Sequence, residues 1–221
     1  MYGATETKPN LSVFFHLPSF KGIHISHPWD IRLMDARKTI GALLIFGASQ
    51  FIALLTVAET QYPGYSVSLN YISDLGVWSQ PSAYIFNPSV VLSGIMTLAA
   101  GYLVFARLGW RSQGALLCVS GLGGIGVGFF NELTGGPHVL FAFMVFVGGA
   151  LAAMMLKNRL KGPMGYFGLV AGIVALLALV LLGTGIWLGL GPGGMERMIA
   201  YPQLAFSTAL GGYFLAGKAY D

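Results

Sequence analysis

The residues able to do chemistry in this chain are few. His138 is the one histidine beyond the first 38 positions and follows Glu132 by six residues, across the turn Gly135-Gly136-Pro137. A turn that tight is expected to bring imidazole and carboxylate together. His138 would then act as general base, with Asp74 or Glu132 orienting it and Ser73 or an activated water as nucleophile. That chemistry suits a hydrolase or transferase. The same His138, Asp74 and Glu132 could instead ligate a metal, but one histidine with scattered acids is a weak metal signature, so no metal and no other cofactor is expected. Asn70, Asn87, Glu196, Arg197 and Tyr201 complete the polar set. All of these residues sit beside long apolar runs, where ionisable groups are costly and pair with one another or line a watery pocket.

The elements that must position them are those apolar runs, at 39–58, 84–106, 114–130, 137–156, 163–190 and 199–217. Each is long enough to cross a hydrocarbon core of about 30 Å as a helix. The loops between them alternate in charge. The second and fourth carry Arg107, Arg111, Lys157, Arg159 and Lys161; the first, third and fifth carry Glu59, Asp74, Glu132 and Glu196, with Arg197 as their only base. Because Lys and Arg concentrate on the cytoplasmic side, this pattern predicts an all-α, multi-pass protein of the cell membrane. It would have six transmembrane helices and both termini in the cytoplasm. The polar set then gathers on the outer face, where Arg197 is expected to answer Asp74 or Glu132.

Composition supports the membrane reading. Charged residues make up 9% of the 221 positions, hydrophobic residues 55%, and the mean hydropathy is +0.71. Water-facing domains carry about 25% charge. The net charge of +4 arises from bases flanking the spans, so no nucleic-acid partner is implied. Cys118 is the lone cysteine, which excludes an internal disulfide.

Two regions stand apart. Residues 59–83 form the longest loop between spans and hold Tyr62, Tyr65, Tyr71 and Trp78, which suit a membrane–water interface. This segment is expected to fold back as a short extracytoplasmic cap. Residues 1–37 read as a cytoplasmic extension docked on the bilayer or a partner, preceding a six-helix membrane domain over 38–221. Met34-Asp35-Ala36-Arg37 looks like a natural start within it. His24 and His27 share a helical spacing, although Pro28 argues against a helix there. Small-xxx-small pairs at Gly124/Gly128, Gly168/Gly172 and Gly185/Gly189 are expected to let helices approach closely. Packing within the chain is favoured over a dimer face.

The segments NYISDLG (Asn70–Gly76), FNPS (Phe86–Ser89), FFNE with His138 (from Phe129) and ERMIAYP (Glu196–Pro202) resemble the uncharacterised domain-of-unknown-function 998 membrane proteins, with the look of archaeal-type members. Through ISD the chain is loosely similar to Frag/DRAM-type membrane proteins. The resemblance runs from about Met34 to the end and singles out Asn70, Ser73, Asp74, Asn87, Glu132, His138, Glu196, Arg197 and Tyr201, without implying a reaction. With no convincing nucleophile, the leading expectation is non-enzymatic. The protein would be an accessory subunit or lipid-binding protein, with membrane lipids and a protein partner or second copy as partners. An outer-leaflet lipid hydrolase or transferase is the alternative. A solute or ion transporter is weaker, because no charge falls in the middle of a span.

Overall fold

The computed structural model describes residues 28–217, with side chains from residue 35 onward. Readings that concern residues 1–27, including His16, His24 and His27, lie outside the described residues. Six α-helices follow one another: α1 Pro28–Thr60, α2 Ala83–Ala106, α3 Arg111–Phe129, α4 Gly136–Met155, α5 Pro163–Gly183 and α6 Gly191–Leu215. Short 3-10 turns interrupt the connections at Ser73–Gly76, Glu132–Thr134 and Leu156–Asn158. Five of the six helices, α1 to α5, are long and apolar enough to cross a membrane.

Several boundaries differ from expectation. α1 runs as one helix through the 37/38 boundary, with Pro28 at its first position, where a missing N–H costs nothing. The fifth apolar run does not remain helical to 190. It stops at Gly183, and residues 184–190 turn back with Gly185, Leu188 and Gly189 at positive φ. Gly185 and Gly189 therefore form no helix face. α6 starts at Gly191, so Glu196, Arg197 and Tyr201 lie inside it rather than in a loop before it. The apolar count missed this because two adjacent charges mask a helical start.

Each helix packs against its neighbours in sequence, and α1 packs against α6, which closes the bundle into a ring. Backbone proximity at the glycines sets the tightest seams. A side chain at Gly94 of α2 would meet the Ile125 nitrogen at 2.6 Å and the Gly121 oxygen at 2.7 Å. Gly124 and Gly128 face α2, and Gly168 and Gly172 face α4. The small residues thus seal the bundle from within. In a bilayer, helices associate through such close contact, since the apolar effect gives little advantage over lipid.

Candidate functional site

The first loop folds back over one end of the ring, as expected, and side chains hold it there. Asp74 Oδ2 accepts from the Tyr71 backbone N–H (3.0 Å) and from Asn70 Nδ2 (2.9 Å), while Asn70 Oδ1 accepts from the Ser66 N–H (3.0 Å). Ser82 Oγ donates to the Leu75 carbonyl at 2.9 Å, and Asn87 Nδ2 donates to the Gly76 carbonyl at 3.0 Å. Asn70, Asp74 and Asn87 are therefore the framework of the cap. Its other margin rests on α6. The Gly193 N–H donates to the Ser68 carbonyl, and a Cβ at Gly193 would lie 1.9 Å from the Asn70 carbonyl oxygen. Only glycine allows that approach.

Glu196 and Arg197 are adjacent on α6 and buried, and they point to different partners. Arg197 Nη2 bonds Glu59 Oε1 at 2.6 Å and the Tyr65 hydroxyl at 2.7 Å. Its Nη1 donates to the Val67 and Gly193 carbonyls at 3.1 and 3.0 Å. Its cationic carbon lies 5.7 Å from the Tyr65 ring centre. Arg197 thus answers Glu59 and not Asp74 or Glu132, since Glu59 in the closing turn of α1 faces the first turns of α6, its neighbour in the ring. The Tyr65 hydroxyl in turn donates to the Tyr71 carbonyl at 3.1 Å. Burial pushes the Tyr65 phenol up to about 12, so it stays protonated. Tyr65 was read from sequence only as an interfacial aromatic; nothing in its spacing marks it as a partner of Arg197.

The Glu196 carboxylate turns the other way and accepts the backbone N–H of Ile72, pinning the start of the cap's short helix. Ser73 Oγ donates to Glu132 Oε2 at 3.0 Å, joining the cap to the α3–α4 connection. Glu132 also faces Asp74. Burial, with the neighbouring Asp74 carboxyl as a hydrogen-bonded and charged partner, pushes Glu132 up to about 7. Asn131 caps the short turn through its Oδ1, which accepts from the Leu133 N–H at 3.1 Å.

His138 is buried, but the glycine-proline turn does not deliver it to an acid. Its Nδ1 lies 2.8 Å from the Phe130 carbonyl oxygen. The one ion pair among the described residues joins Arg197 to Glu59. A carbonyl can only accept, so Nδ1 carries the hydrogen and Nε2 is an acceptor in the neutral ring. Among the described residues no three His, Cys, Asp or Glu side chains come together as a metal site. His138 forms no ion pair with Asp74 or Glu132, and the three do not group as metal ligands. Tyr201 is 45% exposed on the outer surface of α6.

Beneath the cap lies a cavity of about 180 Å³. Ser73, His138 and Glu196 line its upper end, and Leu44, Leu156 and Leu210 its lower end. Helices α1 to α4 and α6 supply the walls, with α5 outside. From Glu196 to Leu210 the wall descends about 21 Å along α6, at 1.5 Å per residue. The cavity is therefore long and narrow. Its walls are mainly apolar, and the hydroxyls of Ser93, Thr97 and Ser207 face it partway down. One signal in the sequence could have revealed it. Glu196, Ala200, Gln203, Ser207 and Leu210 fall on a single helical stripe, which places the polar members of α6 on an inward face.

The family model described as a protein of unknown function (DUF998) matches residues 45–213, and the chain belongs to that family of membrane-type proteins. The match takes in the second half of α1, the cap, α2 to α5 and nearly all of α6, but carries no activity with it. No curated protein and no solved structure matches the chain.

Proposed function

We propose that this protein binds lipid, taking one extended chain of an amphiphile into the bundle beneath the cap. A single observation carries the reading: a narrow cavity with mainly apolar walls, capped by a polar end of Ser73, His138 and Glu196. Ligand sites have this character, an apolar enclosure with a few convergent polar groups. The narrowness favours one chain over a two-chain phospholipid. Binding without turnover agrees with His138, whose ring is held by a backbone carbonyl rather than by an acid. The accessory-subunit role has less support, because the glycine faces that would serve a partner pack within the chain.

The topology that goes with this reading has six spans, both termini in the cytoplasm, and the cap on the outer face of the cell membrane. The charge alternation supports it. Native mass spectrometry of the protein released from membranes should show one retained single-chain lipid per chain. Ala142→Trp, which fills the cavity, should lose it; Val170→Trp, on the exposed face of α5, should keep it. Retention by Ala142→Trp would overturn the proposal.

One observation favours a second reading. Ser73 bonds Glu132 at the same cavity end where His138 Nε2 is an acceptor, and a lipid ester could meet a hydroxyl there. Hydrolysis of a long-chain ester by the wild type but not by Ser73→Ala would establish it.

A further inference from the structure

The upper end of the cavity has a chemical bias that its shape alone does not reveal. Three side chains define it, and each offers a lone pair. Glu196 presents a carboxylate already held by the Ile72 backbone N–H. His138 presents Nε2 as an acceptor, because Nδ1 is committed to the Phe130 carbonyl. Ser73 gives its one hydroxyl hydrogen to Glu132, which leaves its oxygen to accept. Among the described residues no Lys or Arg lines the cavity. The nearest cation along the chain, Arg197, turns away, and its two terminal nitrogens are taken by Glu59, Tyr65, Val67 and Gly193.

Resting on the lipid-binding reading above, we infer that this end selects a single-chain amphiphile whose head donates hydrogen bonds, a long-chain alcohol or amine, and rejects carboxylate and phosphate heads. A hydroxyl or ammonium group can satisfy several of these acceptors at once. An anionic head would instead sit near the Glu196 carboxylate with no Lys or Arg lining the cavity to receive it, in surroundings where water screens poorly. It would also leave the acceptors without donors, which is costly in a buried site.

The test uses the full chain in nanodiscs of zwitterionic lipid at pH 8. Three photoreactive probes carry the same sixteen-carbon tail with a mid-chain diazirine, and differ only in an alcohol, amine or carboxylate head. After irradiation, peptide mapping should place the alcohol and amine probes on α2 and α6 cavity residues, at least tenfold above the carboxylate probe. Unlabelled hexadecanol should displace both. Glu196→Gln removes the charge, so it should narrow the gap between the alcohol and carboxylate probes. Equal labelling of the cavity by all three heads, or preference for the carboxylate, would overturn the head selectivity while leaving chain binding intact. Absence of cavity labelling by every probe would overturn chain binding itself. An unchanged gap in Glu196→Gln would show that Glu196 does not set the selectivity and would refute the argument from its charge.

Discussion

Arg197 is 5% exposed and joins α6 to both the end of α1 and the cap, through Glu59, Tyr65 and the Val67 carbonyl. Removing one member of a buried ion pair strands the other, at a typical cost of about 3–5 kcal/mol, whereas replacing both by apolar groups can be nearly neutral. Arg197→Met should therefore lower the thermal midpoint sharply in detergent, and Glu59→Met with Arg197→Met should recover part of that loss. A double variant no more stable than Arg197→Met would show that the pair is not the source. Glu132 makes the opposite kind of prediction. Its carboxyl, ordinarily near 4.5, is raised to about 7, so the folded state favours the protonated form. Its contribution is complete below about pH 4.5 and is lost as pH rises through 7, when two carboxylates face each other. Hydrogen exchange of the Ser73–Gly76 amides should thus quicken across that interval in the wild type, beyond the intrinsic pH effect, and not in Glu132→Gln. At this scale the sequence made conspicuous, as polar groups beside apolar runs, most of the side chains that tie the cap down. It mispaired them. Arg197 chose Glu59 over Asp74 and Glu132, and His138 chose a carbonyl, since pairing depends on which helix ends meet and no spacing encodes that.

The helices themselves were legible from apolar runs, with errors where other signals compete with hydropathy. α6 begins eight residues before the apolar run that marked it, because Gly191, Glu196 and Arg197 depress local hydropathy. α5 ends early because Gly185 and Gly189 adopt positive φ in an apolar stretch. The seam between α2 and α3 depends on the absence of side chains. Gly94→Leu would push a Cβ to within 2.6 Å of α3 backbone, where nothing flexible can yield. This variant should lower the thermal midpoint far more than Gly212→Leu, whose Cβ position has nothing within 4 Å. Comparable midpoints for the two would mean the seam is looser than described.

For the whole molecule, the ring places the cap, Glu59, Glu132 and the start of α6 at one end, and the Lys- and Arg-bearing connections at the other. The single native cysteine makes the orientation easy to test. In a Cys118→Ala background, a cysteine at exposed Trp78 should react with an impermeant maleimide added to intact cells, and one at Lys161 only after lysis. The reverse pattern would invert the topology. The cavity was invisible in the sequence because its walls come from five helices, and only the α6 stripe hints at it.

Closure of the ring by its first and last helices has a consequence for biosynthesis. A chain emerging from the ribosome delivers Glu59 with α1 and Arg197 only with α6. Until the four intervening helices and then α6 have followed, Glu59 lacks its Arg197 partner and the cavity lacks the wall that α6 supplies. The ring thus closes only on the arrival of α6, and a chain stalled before it would carry Glu59 without its counter-ion.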